Sequence, residues 1–252
     1  MLRQRFDLFI GLVDRDMTLM YNRSSLGIAW TLIKPLMQLM VFAVVFGSVL
    51  SVEVPQYASF IFCGLISWVW FHSSLSKSTA SIIQNGALIR QPGFPLAILP
   101  MVTVTTGLIH YLLSLPILLL FLWVQSVQLN QTVFVLPLII VLQAVFTVSF
   151  AYVLAGINVV FRDTQHTLDV LLQMLFYLTG IFYQVSSLPE PFRSFLELNP
   201  MLIMINSYRT VLLNGEQPDW FSLGGVALIA MALLPIGYKI FRRQSIRFVE
   251  EL

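Results

Sequence analysis

The chain has 252 residues, of which 58% are hydrophobic and only 10% charged. Soluble domains usually carry about a quarter charged residues, so this composition excludes an ordinary water-soluble enzyme and marks an integral membrane protein. A formal charge of +2, from 14 Lys plus Arg against 12 Asp plus Glu, is too small and too dispersed for a nucleic-acid surface.

The first 28 residues place Leu2, Phe6, Phe9, Ile10, Val13, Met17 and Met20 at helical spacings, with Arg3, Gln4, Asp7, Asp14 and Thr18 between them. That pattern predicts an amphipathic helix lying in the interface, either as an anchor for the first span or as a collar at the cytoplasmic mouth. The opening MLRQRFDLFIGLVDRD lacks the continuous apolar core and small-residue cleavage site of a secretory signal, so no cleavage is expected.

A spanning helix needs about 20 mainly apolar residues. The first candidate covers residues 32–50, with Lys34 and Pro35 at its start, where the lysine can snorkel to the interface. The second covers 57–75 and contains the single cysteine, Cys63, which excludes an internal disulfide or multi-cysteine metal site and reads as a buried small hydrophobe. An inner loop over 76–95 follows, and its residues 82–89 predict a short helix ended by Gln91, Pro92 and Gly93. Such a loop suits docking to a soluble partner, or it simply connects two spans.

The 71 residues between Arg90 and Arg162 carry no formal charge, enough for two spans over 96–124 and 133–160 with the polar stretch 125–132 as the turn. A fifth span begins after the polar cluster Arg162, Asp163, Gln165 and His166 and ends near Tyr183. Residues 199–213 are apolar but too short to span and carry Arg209; they read as a re-entrant or interfacial piece inside an outer loop over 184–220. The sixth span covers 221–240.

The expected fold is therefore all-α: a single six-span transmembrane domain over 1–252. With this topology twelve Lys and Arg fall on the side of the termini and only Arg193 and Arg209 on the other, which places both termini in the cytoplasm.

No GxxxxGK[ST] phosphate loop, HExxH motif or Gly-x-Ser-x-Gly elbow occurs in the sequence. No catalytic residue, metal ligand or resident cofactor is therefore expected. His72 and His110 are the only ionisable groups deep in these spans, each lone and read as packed or partnered. Little is left for a proton or ion relay, which disfavours an ion-driven secondary transporter, and the lack of an acid-base constellation disfavours an intramembrane enzyme.

The run RDMTLMYNRSSLGIAWTLIKPLM (15–37) resembles the RDxxxxYxxSxLGxxWxxxxP segment of membrane subunits of ATP-binding-cassette polysaccharide exporters. The matching residues are Arg15, Asp16, Tyr21, Ser24 or Ser25, Leu26, Gly27, Trp30 and Pro35. Asn85, Leu88, Ile89 and the pair Phe94–Pro95 resemble that family's coupling loop; Phe161, Arg162 and Asp163 match its FRD turn, and Leu198, Asn199 and Pro200 its LNP. The loop is less charged than is usual in the family, because Gln91 follows Arg90 and Leu96 follows Pro95.

The resemblance implies a homodimer in a bacterial inner membrane, paired with two copies of a nucleotide-binding subunit that alone would hold ATP and Mg. It implies export of an undecaprenyl-type lipid-linked glycan, O-antigen first, with capsular polysaccharide or teichoic acid as siblings and a drug or lipid exporter as the alternative. In that frame Asn85, Leu88, Ile89, Arg90, Phe94 and Pro95 would couple to the ATPase. Arg15, Asp16, Tyr21 and Arg23 sit where a lipid pyrophosphate would arrive, or serve as headgroup and positive-inside charges. Sugar rings stack on aromatic faces, so Trp68, Trp70, Phe71, Phe176, Tyr177, Phe182 and Tyr183 are candidates for a channel lining, although such residues are also common in spans and interfacial belts.

Overall fold

The computed structural model describes residues 2–21, 24, 26–42, 44–45 and 54–245. Among these the regular structure is entirely helical: α1 (Leu2–Tyr21), α2 (Trp30–Phe42), α3 (Tyr57–Gln84), α4 (Gly86–Ile89), α5 (Ile98–Val124), α6 (Leu136–Val160), α7 (Asp163–Leu178), α8 (Phe192–Glu197), α9 (Pro200–Arg209) and α10 (Trp220–Ser245). Four helical stretches are long and apolar enough to cross a membrane: α3, α5, residues 131–160 ending in α6, and α10. Only the 13-residue α2 and residues 44–45 of the first expected span are described along its helical path, and α7 has 16 residues. Arg23 and Ser25 lie outside the described residues.

The helix α3 is the axis of the bundle. In its most apolar window 78% of the residues are buried, against 28%, 28% and 22% for the other three candidates. Its sequence explains why. Ser67 and Thr79 return their hydroxyls to the carbonyls of Cys63 (3.0 Å) and Leu75 (2.8 Å), so small polar side chains are satisfied within the helix and neighbours can approach closely.

The neighbours then bond to α3 directly. Trp70 Nε1 donates to the Val104 carbonyl at 3.1 Å, Gln143 Nε2 to that of Ser67 at 2.9 Å, and Asn158 Nδ2 to that of Thr79 at 2.9 Å. In hydrocarbon there is little hydrophobic drive between helices, and each such bond contributes about 0.6 kcal/mol, up to roughly 2. On the far side of α6, the Ser149 hydroxyl donates to the Ala230 carbonyl of α10 at 3.1 Å.

Three expected boundaries shift. The second span does not stop at residue 75: α3 continues to Gln84 because Ser78, Thr79 and Ser81 are buried and hydrogen-bonded, so the loop is shorter than 76–95. The fifth helix ends at Leu178 rather than near Tyr183, where Thr179 back-bonds to the Leu175 carbonyl and Gly180 turns at φ +59°. A Cβ on Gly180 would also lie 2.9 Å from Val185 Cγ2, so glycine is required on both counts. The last helix runs past residue 240 to Ser245.

Candidate functional site

Two ends of the bundle carry the residues of interest. At the proximal end, a hydrophobic cluster joins Leu12 and Val13 of α1 to Ile82 and Ile89, to Ile98 and Leu99 at the start of α5, and to Val159 and Phe241. The short α4 thus shares one apolar cluster with α1, α3 and α5. Ile89 is buried, Leu88, Phe94 and Pro95 are half-buried, and Ala87, Arg90, Gln91 and Pro92 are exposed.

Asn85 links the pieces. Its Nδ2 donates to the Ser81 carbonyl at 2.8 Å, its own carbonyl accepts from the N–H groups of Leu88 (2.9 Å) and Ile89 (3.1 Å), and its Oδ1 accepts from Arg15 Nη2 at 2.8 Å. Arg15 also lies 3.3 Å from Asp16. Arg15 therefore reaches the turn after α3, 70 residues away, a partner that the sequence alone did not suggest. Phe161, Arg162 and Asp163 are exposed in the turn between α6 and α7, where the Thr164 N–H bonds back to the Phe161 carbonyl at 3.0 Å.

Between α1, α2, α3 and α5 lies a cavity of about 570 Å³ lined by Tyr21, Trp30, Lys34, Pro35, Lys77, His110 and Tyr111 among others. The Tyr21 hydroxyl meets Thr31 and lies 3.2 Å from His110 Nε2, which ties the end of α1 to α5. Lys77 Nζ donates to Met20 Sδ at 2.8 Å. Of the residues expected at the mouth, Tyr21 reaches this cavity, while the charges that line it, Lys34 and Lys77, were not among them. Gly27, at φ +49°, opens the short helical turn Gly27–Ala29 leading into Trp30 and the buried Pro35.

At the distal end the aromatic candidates divide. Trp68, Trp70 and Phe71 are 4%, 1% and 5% exposed and belong to the central core, with Trp70 stacked on Tyr111 at 5.2 Å and Phe71 on Phe146 at 6.0 Å. They pack inside this chain's own bundle, because α3 is surrounded. Phe176, Tyr177, Phe182 and Tyr183 form a chain of ring contacts at 5.1–6.1 Å where α7 meets α2, and Tyr177 is 55% exposed. Phe42 joins them at 6.0 Å from Phe176, and the Tyr57 hydroxyl donates to the Phe182 carbonyl at 2.7 Å.

The LNP segment is a helix start. Asn199 Oδ1 accepts from the Met201 N–H at 3.0 Å and Pro200 occupies the first helical position, where a missing N–H costs nothing. The helix α9 and the wider π-helical turn Thr210–Asn214 are buried through Met201, Leu202, Met204, Ile205, Tyr208, Val211 and Leu212. Arg209 is 6% exposed. Its guanidinium sits 3.5 Å over the Phe60 ring and donates to the carbonyls of Gly180 (2.9 Å), Ile181 (2.8 Å) and Phe60 (3.3 Å). The helix α9 is thus keyed to the first turn of α3 and to the chain just after α7 by a cation whose donors meet backbone oxygens. Among the described residues no group of three or more His, Cys, Asp or Glu could hold a metal ion.

Comparison with known proteins completes the description. The ABC-2 type transporter family matches residues 7–213. An O-antigen export system permease protein, RfbA, of Myxococcus xanthus is 32% identical over 247 residues, 97% of this chain and 95% of that protein. An RfbA of Klebsiella pneumoniae is 30% identical over 98% of this chain and 95% of its own. The polysialic acid transport protein KpsM of Escherichia coli is 24% identical over 92% of this chain and 91% of its own.

Proposed function

The chain belongs to the ABC-2 type transporter family, and from that premise we propose that it is the permease half of an ATP-driven exporter moving a lipid-linked polysaccharide, of O-antigen type, out of the cytoplasm. The observation that carries this reading is the end-to-end similarity to permeases named for O-antigen export, which leaves no large part of the chain unmatched. The similarity to KpsM supports capsular polysaccharide export as the second reading.

In this reading two copies of a six-span subunit form a channel in the inner membrane. The first span continues from α2 and the fifth is α7 with the turn after it. Both termini and the proximal end face the cytoplasm, consistent with the charge asymmetry of the loops. Two copies of a separate nucleotide-binding subunit bind ATP and Mg, and this chain supplies no catalytic group.

The chain's own contribution follows from the geometry. The exposed side of α4 and the following turn meet the ATPase, and the bond from Arg15 to Asn85 passes movement of that loop to the interfacial helix α1. Lys34 and Lys77 give the cavity behind α1 and α2 a positive wall suited to a phosphate-bearing lipid head. The aromatic chain around Tyr177 offers ring faces to sugars in a sequence-tolerant way.

The test is purification of the solubilised chain from its native host, with assay of ATP hydrolysis by whatever copurifies, for wild type, Leu88→Asp and the exposed Ala87→Glu. A P-loop ATPase that copurifies and is released by both variants, together with loss of surface glycan on deletion, is expected. A chain that purifies alone, with glycan still at the surface after deletion, overturns the reading.

A further inference from the structure

The distal end holds a second cavity of about 360 Å³, walled by the three residues before α3 and its first turn, the chain after α7, the end of α8, and α9 with its π turn. Its size falls in the range of small-ligand sites, about 300–1,000 Å³. Both charges in the wall are already committed: Arg209 to the carbonyls of Phe60, Gly180 and Ile181, and Glu197 to Arg193 at 2.8 Å. The side-chain amides of the exposed Gln56 and Asn214 and the half-buried Gln184, in contrast, bond to no described residue and are open to water or a ligand, and that of the exposed Asn206 receives only a 3.4 Å contact from Arg209.

This inventory selects a ligand class. An amide presents two donors and an acceptor, and a sugar hydroxyl presents one donor and an acceptor, so amides drawn from three segments match a ring bearing several hydroxyls. An apolar ligand would strand the amides. A phosphate would find no uncommitted cation, and a metal ion no ligand cluster among the described residues. We propose that this distal pocket is a binding site for a neutral sugar ring, a subsite within each subunit that holds an emerging glycan unit beside the aromatic chain. The proposal rests on the export reading for its place in the transport path, and on the pocket's own chemistry for its ligand.

The experiment uses the full chain purified in detergent and saturation-transfer difference NMR with the methyl glycosides of glucose, galactose and mannose, with inorganic phosphate as the contrasting probe. The variants are Gln184→Leu with Asn214→Leu, and Gln217→Leu, an exposed residue outside the pocket wall, as the control. At least one glycoside is expected to give transfer in wild type and in Gln217→Leu, about tenfold weaker binding in the double variant, and no phosphate response. Equal binding in the double variant, no glycoside response at all, or preferred phosphate binding overturns the pocket. Export by the double variant in a deletion strain separates the two claims. Undiminished binding in the double variant with full export removes the subsite and leaves the exporter. Wild-type sugar binding that the double variant loses, in a host whose surface glycan survives deletion, keeps the pocket and removes the exporter.

Discussion

Replacing Arg15 by Met removes the guanidinium that reaches Asn85 while keeping an unbranched chain to pack along α1. The lost bond is 2.8 Å long and involves a charged donor, for which about 1.5–3 kcal/mol is typical. The Arg15 side chain is 37% exposed, so water recovers part of that and about 1.5 kcal/mol is the working figure. Ile82 and Ile89 keep their place in the cluster with Leu12, Val13, Ile98 and Leu99, so α4 stays folded. The equilibrium between a loop clasped to α1 and a loosened one then moves by roughly tenfold. In proteoliposomes with the copurified ATPase, hydrolysis is expected to persist while glycan exported per ATP falls by about that factor, and Arg15→Lys recovers part of it as a single-point donor. An unchanged ratio of export to hydrolysis in Arg15→Met refutes the clasp. A parallel fall of both activities with a lowered melting temperature reduces Arg15 to a packing residue.

Gly237→Ala puts a Cβ 2.7 Å from the Ser149 backbone oxygen and 3.0 Å from Val153 Cγ2, so α6 and α10 must part at a cost of about 1–3 kcal/mol, whereas Gly224→Ala meets nothing within 4 Å and is expected to gain up to about 1 kcal/mol; thermal unfolding in detergent reads both signs. Arg209→Met leaves three carbonyls without their donor, about 1–3 kcal/mol for each that stays buried, and is expected to expose the chain after Leu178 to protease while the proximal end stays resistant. The Asp219 carboxyl, which caps the start of α10, is held below its ordinary range by the Ser222 hydroxyl and then by backbone N–H groups. Its stabilisation is complete above the unfolded carboxylate range and fades as pH falls through the lowered folded value, so the melting-temperature gap between wild type and Asp219→Ala should close only in acid.

The parts of this fold that repeat along the chain were legible in the sequence. A charge-free run of 71 residues broken by one polar stretch leaves few choices but two helices, and α5 and α6 fall within a few residues of their expected bounds. Asn199 and Pro200 entered the sequence reading only through a family match, and the structure shows what they do: they cap and open α9. Boundaries failed where polar residues satisfied themselves inside a helix: Ser78, Thr79 and Ser81 look like loop in a hydropathy reading and lie in the buried wall of α3. Partners distant in sequence were invisible. Nothing near Arg15 points to Asn85, and nothing near Arg209 points to the carbonyls after Leu178, because periodicity reports which face is apolar and not what meets it. The burial of Trp68, Trp70 and Phe71 belongs to the same class, since the composition of α3 does not reveal that it is surrounded.

One element, α3, reaches both ends of the bundle. The helix α3 has 28 residues and is about 42 Å long at 1.5 Å per residue. It begins at Arg209's platform, Phe60, and ends at Asn85, which carries the clasp to Arg15. Side-chain bonds to α5 and α6 fix it near both ends and in the middle, through Ser59 to Gln125 (2.7 Å), Gln143 to Ser67 and Asn158 to Thr79. Those ties hold α3, α5 and α6 together at three levels, as a block would be held. The helices α2 and α7 have fewer polar ties to that block, α7 through Ser76 to Asp169 at 3.1 Å, so a push at α4 carried by the block would appear at the distal end as motion relative to them, at their seam with it. The aromatic chain of Phe42, Phe176, Tyr177 and Phe182 lies along that seam, so sliding of the seam re-spaces the ring faces that would hold sugars, without any change within the core of the subunit.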